Sequence, residues 1–97
     1  MNVWLHPAAD QELIVAATYY AQNASRQLAE DFIAEFDRAV ALIAGHPGLG
    51  TPWRGETRRF PLRRFPYSVI YHPVEAQLRV VAVAHQRRKP GYWAERL

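Results

Sequence analysis

The spacing of hydrophobic positions changes once along this chain, from helical in the first half to strand-like in the second. Asn2, Val3, Trp4 and Leu5 read as a short strand stopped by Pro7. Proline suits a first helical turn, where its missing N–H costs nothing. Beyond it, Ala9, Leu13, Ala16 and Tyr20 recur at helical spacing, which predicts an amphipathic helix over about residues 8–22. Asn23 ends that helix and Ser25 caps the next one. There Leu28, Phe32, Phe36, Val40 and Ile43 make one apolar face, with Glu30, Asp31, Asp37 and Arg38 away from it. Gly45 and Pro47 stop this second helix at about residue 44. Two helices joined by so short a connection form an antiparallel hairpin.

The stretch from His46 to Thr57 is dense in Gly and Pro and reads as an ordered loop. No Gly-Lys-Ser/Thr follows its glycines, so it is not a phosphate-binding loop. Phe60–Leu62, Tyr67–His72 and Leu78–His85 then appear as strands, rich in β-branched and aromatic residues and separated by turn residues. Strict alternation in the last run puts Leu78, Val80, Ala82 and Ala84 on one face and Val81 and Val83 on the other. Two apolar faces predict a central strand covered on both sides. Pro61 and Pro66 are confined to edge or turn positions. The expected fold is α+β: an N-terminal helical hairpin packed on a twisted, mainly antiparallel sheet of about four strands. No repeat or linker interrupts it, so residues 1–97 read as one domain.

Composition narrows the class. Hydrophobic residues at 49% and charged residues at 22% suit a globular domain rather than a disordered chain. No apolar run approaches the roughly 18 residues of a spanning helix. The start of the chain lacks the basic-then-apolar order of a signal peptide. Without Cys there is no disulfide framework and no thiol nucleophile. The expectation is a cytoplasmic protein with no membrane partner.

The net charge of +3 conceals a division. Residues 1–50 carry Arg26 and Arg38 against six acidic side chains, whereas residues 51–97 carry ten cations against three acidic side chains. Eleven of the twelve cations are Arg, whose planar fork pairs with phosphate or carboxylate and stacks on rings. The basic half therefore either binds an anionic partner, nucleic acid or acidic peptide, or simply solvates a small domain. Three groups stand out: Arg58 with Arg59, Arg63 with Arg64, and Arg87, Arg88 and Lys89 before Tyr92 and Trp93. Cations interleaved with aromatic rings suit phosphates and stacked bases. Equally, paired arginines can be a solvated edge, and Tyr92 and Trp93 can pack a terminal helix onto the core. None of His6, His46, His72 and His85 has metal-ligand spacing, so no metal and no cofactor is expected. His85, beside the cations, reads either as structural or as an acid–base group. Ser25 and Ser68 lack the surroundings of a catalytic triad.

The stretches Leu62–Tyr71 and Val80–Trp93, with Ala9, Leu13 and Tyr20 on the first helix, resemble the RelE/ParE superfamily of toxins from type II toxin–antitoxin systems. The turn His46-Pro47-Gly48-Leu49-Gly50 is similar to the ParE side of that superfamily. The resemblance spans nearly the whole chain. It implies the fold above, growth inhibition, a role in plasmid stabilisation, and a cognate antitoxin that wraps the toxin in a hetero-oligomer. Its two branches imply different targets. ParE-like members inhibit DNA gyrase without a catalytic set; RelE-like members are endoribonucleases that cleave mRNA on the ribosome.

On the nuclease branch the resemblance implies Arg63 and Arg87 as phosphate-holding cations and Tyr92 or His85 as base or acid. Arg87 lies one position beyond the family's arginine, where Gln86 stands, and Arg58 and Arg59 replace a lysine pair. Arginine does not donate a proton at neutral pH. On the gyrase branch Arg58, Arg59, Arg64, Arg88, Lys89 and Trp93 become a target-binding surface. The favoured expectation is a gyrase inhibitor, with the ribonuclease as the alternative and a non-catalytic nucleic-acid-binding module as a third.

Overall fold

A computed structural model describes residues 1–97. The chain runs β1 (Asn2–Leu5), α1 (Pro7–Asn23), α2 (Arg26–Gly45), β2 (Thr51–Pro52), β3 (Arg58–Pro61), β4 (Tyr67–Val74), β5 (Gln77–His85) and a short 3-10 helix (Ala94–Arg96). The five strands form one sheet in the order β1-β5-β4-β3-β2. β1 lies parallel to β5 and every other pair is antiparallel. The α+β expectation holds, with five strands in place of about four; the added β2 is two residues long.

Local chemistry accounts for the helix ends. The His6 imidazole Nδ1 accepts from the Ala8 N–H at 3.0 Å, a cap in front of Pro7. Ser25 Oγ accepts from the Leu28 N–H at 3.0 Å. Of the predicted helix faces, Ala9 and Ala16 on α1 and Phe32, Phe36 and Ile43 on α2 are buried, joined by Ala39, and meet Val69, Tyr71, Leu78 and Val80 of the sheet, while Leu13, Tyr20, Leu28 and Val40 pack partly buried against them. Ala9 and Ala16 have almost no side chain to hold α1 away from the sheet, so α1 lies close against β5.

β5 departs from strict alternation. Ile70 faces Ala82 and Tyr71 faces Val80, so Val81 is an extra residue without an opposite number. Two consecutive side chains therefore fall on one face. Leu78, Val80 and Val83 join the core under the helices, while Val81, Ala82 and Ala84 join Ile70 and Trp93 beneath the tail. The bulge corrects the expectation that Val80 shares a face with Ala82 and Ala84. β5 is nonetheless covered on both faces, and over residues 77–80 it lies between β1 and β4; the central position in the sheet belongs to β4. Pro61 ends β3 and Pro66 sits in the following turn, while Pro73 lies within β4 beyond the reach of β3. A missing N–H costs no ladder bond there.

The Gly/Pro loop is pinned by one phenol. Tyr71 is fully buried; its hydroxyl donates to the Pro47 carbonyl at 2.7 Å and accepts from the Gly50 N–H at 2.8 Å. A Cβ on Gly50 would stand 2.6 Å from that oxygen, so only glycine fits.

Candidate target-binding site

β5 is longer than its neighbour β1. Their pairing stops at Leu5 with Val80, after which the His6 N–H donates to the Val80 carbonyl at 2.9 Å. Residues 81–85 thus have β4 on one side and no strand on the other. A strand edge with unpaired N–H and C=O groups needs other partners. Glu12 from α1 and Arg96 from the tail supply them. Glu12 Oε1 accepts from the Val83 N–H at 3.0 Å, and Arg96 Nη1 donates to the Val81 carbonyl at 3.1 Å.

Those two side chains also pair with each other. Arg96 Nη1 and Nη2 reach Glu12 Oε1 and Oε2 at 3.0 and 3.2 Å, a two-pronged contact about four-fifths shielded from solvent on both sides. The Tyr92 hydroxyl donates to Glu12 Oε2 at 2.7 Å. Burial, then the bond to Glu12 and its charge, push the Tyr92 phenol far above its ordinary range. The tail reaches this position through Gly91, whose φ of 85° favours glycine. Outside the clasp, the Arg88 guanidinium stacks on the Tyr92 ring, 3.9 Å from its centre.

Two depressions flank this end of the sheet. One of about 480 Å³ lies between α1 and the tail, lined among others by Val15, Tyr67, His85, Arg88 and Tyr92. The other, about 210 Å³, lies on the sheet face away from the helices. It includes Trp53, Arg59, Ser68, His85, Arg88 and Trp93, and no carboxylate lines it. Arg59 stacks on Trp53 at 5.3 Å. His85 and Arg88 border both. The arrangement is a cationic ridge between two clefts, suited to anionic and flat partners.

The predicted residues divide between this ridge and other places. His85 is half-buried; its ring packs edge-on against Tyr67, centres 5.0 Å apart, and its Nδ1 accepts from the Arg87 N–H at 3.1 Å. Arg59, Arg88 and Trp93 gather around it, but Trp93 is only 3% exposed and packs beneath the tail. Arg87 and Lys89 are exposed, with no ion pair. Arg58 holds the Gly/Pro loop, donating to the Gly50 and Gly48 carbonyls at 2.6 and 3.3 Å.

Arg63 and Arg64 sit apart, in a depression against α2 with Asp31, Glu35 and Arg38. There the Arg63 N–H donates to Glu35 Oε2 at 2.7 Å, and Arg38 grips the same carboxylate through two bonds of 2.7 Å. The Arg38 bonds, then the Arg63 N–H, hold Glu35 below the usual carboxylate range against the opposing effect of burial. Arg64, at a φ of 69°, makes a loose 3.5 Å contact with Asp31. No three His, Cys, Asp or Glu side chains cluster in a way that would hold a metal ion.

Glu12, Arg96 and Trp53 were not singled out from the sequence. Glu12 carried a usable signal, since it stands three residues after Ala9 and four before Ala16, inside the stripe that packs on β5. A carboxylate in such a stripe requires partners. Arg96 gave none, because only the folded tail shows what it reaches.

The fold recurs in a solved structure of a toxin–antitoxin system. A chain of the chromosomal ParDE TA system from P. aeruginosa superposes with a TM-score of 0.77 at 16% identity, covering 88% of this chain and 95% of that one. The chain also matches, over residues 3–90, the family described as the ParE toxin of type II toxin-antitoxin system, parDE. It belongs to the ParE toxin family. No curated protein matches it significantly.

Proposed function

We propose that this ParE-family chain arrests bacterial growth by inhibiting DNA gyrase, acting in the cytoplasm as the toxin of a toxin–antitoxin hetero-oligomer. The observation that supports this over the ribonuclease reading is the state of Tyr92. RNA cleavage needs a group to take the 2′-OH proton and another to protonate the leaving oxygen. The Tyr92 phenol already donates to Glu12 and is pushed far from ionisation, so it is a poor base. Arg63, the proposed phosphate-holding cation, lines the depression by α2, whereas His85 and Tyr92 line the cleft by α1. A gyrase inhibitor needs neither a base nor converging cations, only a surface. The cognate antitoxin supplies the acidic counterpart to that surface.

The test expresses the chain with and without its antitoxin and assays plasmid supercoiling and mRNA 5′ ends side by side. Purified toxin should block supercoiling and leave mRNA ends unchanged. New 5′ ends with normal supercoiling would transfer the chain to the ribonuclease reading.

A further inference from the structure

A chain of contacts leads from the shielded carboxylate of Glu12 to the most exposed ordered cation on the ridge. We infer that Glu12 is a positioning residue, acting through Tyr92 to hold Arg88 ready for an acidic side chain of the target protein. This rests on the protein-target reading above.

Three observations carry it. Glu12 receives four hydrogen bonds, from the Val83 N–H, the Tyr92 hydroxyl and both Arg96 nitrogens. Geometrically it replaces the strand missing beside β5, so its position is set by backbone as well as side chains. The Tyr92 ring is then fixed at two places, by its hydroxyl on Glu12 and by the edge-on Trp93 ring, 5.4 Å between centres. Arg96, 5.1 Å from the Tyr92 ring centre, sits on the clasp side. Arg88 takes the other contact with that ring at 3.9 Å and has no carboxylate partner.

The neighbours of Arg88 have no such support. The side chains of Arg87 and Lys89 make neither an ion pair nor an aromatic stack. Long flexible cations lose rotamer freedom on binding; a cation already stacked loses less. The stack also leaves the guanidinium N–H groups free, because cation–π contact uses the face of the group and not its donors. The position between both clefts lets one Arg88 serve a partner approaching from either side. A carboxylate on the target is the complementary group, since it accepts the two-pronged fork.

The experiment is a double-mutant cycle on gyrase inhibition and on growth arrest, with thermal melts of every variant. Arg88→Ala should weaken inhibition about thirtyfold. Glu12→Ala and Tyr92→Leu should each weaken it about tenfold, the cost of ordering a free cation. Combined with Arg88→Ala, neither should cause further loss of potency, while both still lower the melting temperature as they do alone. A merely structural Glu12 would give additive losses in potency, which overturns the proposal. Tyr92→Phe removes the hydroxyl bond to Glu12 and keeps the ring under Arg88, so a loss of potency that vanishes in the Arg88→Ala background decides the matter even if Glu12→Ala fails to fold. Wild-type potency in Arg88→Ala also overturns it. If the wild-type chain leaves supercoiling untouched, the gyrase reading fails, and the same cycle is scored on growth arrest alone. Non-additivity there sustains the relay, and additivity removes it.

Discussion

Two side chains away from the ridge show how much a single group decides. Tyr71 joins β4 to the Gly/Pro loop through two bonds on one oxygen, and Gly50 is small because that oxygen is there. Tyr71→Phe should cost about 1–3 kcal/mol, since the buried Gly50 N–H loses its acceptor as well as its bond. Urea denaturation measures that loss, and an unchanged midpoint would mean that water replaces the phenol. Glu35 makes a pH-dependent contribution of definite sign. Arg38 and the Arg63 N–H depress its folded pKa, so its stabilisation is present above the unfolded carboxylate range and disappears as pH falls through the folded value. Glu35→Gln should therefore destabilise the chain at pH 7, and by a smaller amount at about pH 3, under the ordinary glutamate value. Urea midpoints at both pH values check this; a constant difference would assign the effect to packing.

Among the elements, β5 and the turn before β4 carry most of what distinguishes this chain from a plain helix-on-sheet domain. The bulge at Val81 turns the strand's last residues over and frees an edge beyond β1, which Glu12 and Arg96 then close. The turn at residues 62–66 faces α2, and its Arg63 N–H is tied to Glu35. That placement sets an expectation for Arg63→Ala. The backbone bond to Glu35 survives the substitution, so folding should be preserved and growth arrest reduced by less than tenfold, one contact among several. A nuclease would instead lose about 2.7–4 kcal/mol of transition-state stabilisation, a hundredfold or more. Growth arrest titrated by inducer concentration separates the two, and a collapse of toxicity in a normally melting variant favours the ribonuclease.

Charge organises the whole molecule. The acidic side chains of the first half lie largely on the helices, and the cations of the second half lie on the strands, turns and tail. Arg59, Arg87, Arg88 and Lys89 reach the same end of the sheet with no carboxylate paired to them. Such a field speeds and strengthens the approach of an acidic partner and is screened by salt. The affinity of the antitoxin should fall as salt rises from 50 to about 500 mM, where the screening length drops to a few ångströms. Titration calorimetry at several salt concentrations measures it. A dissociation constant indifferent to salt would leave an apolar contact, centred on the exposed Val15 and Tyr19 of α1, as the source of affinity.

How far the sequence determines this protein follows from the range of the forces involved. Helix periodicity, the Ser25 cap and the Pro7 start are local effects, and Ala9, Ala16, Phe32, Phe36 and Ile43 are buried where their spacing put them. The family was legible too, because Leu62–Tyr71 and Val80–Trp93 carry its pattern in consecutive residues. Register was not. Alternation in β5 cannot reveal an extra residue at Val81, since Val and Ala are apolar on either face and only pairing with β4 decides which face each takes. The division of the arginines was hidden for the same reason. Arg58, Arg63 and Arg88 look alike in the chain, yet one holds a loop, one lies beside α2 and one stacks on Tyr92. The Glu12 clasp joins residues 12, 83, 92 and 96, more than 70 positions apart at its ends. Contacts of that separation exist only once β1 stops short, the bulge turns β5 and Gly91 returns the tail to α1. These are tertiary events, and they decide which charges are buried and paired and which remain for a partner.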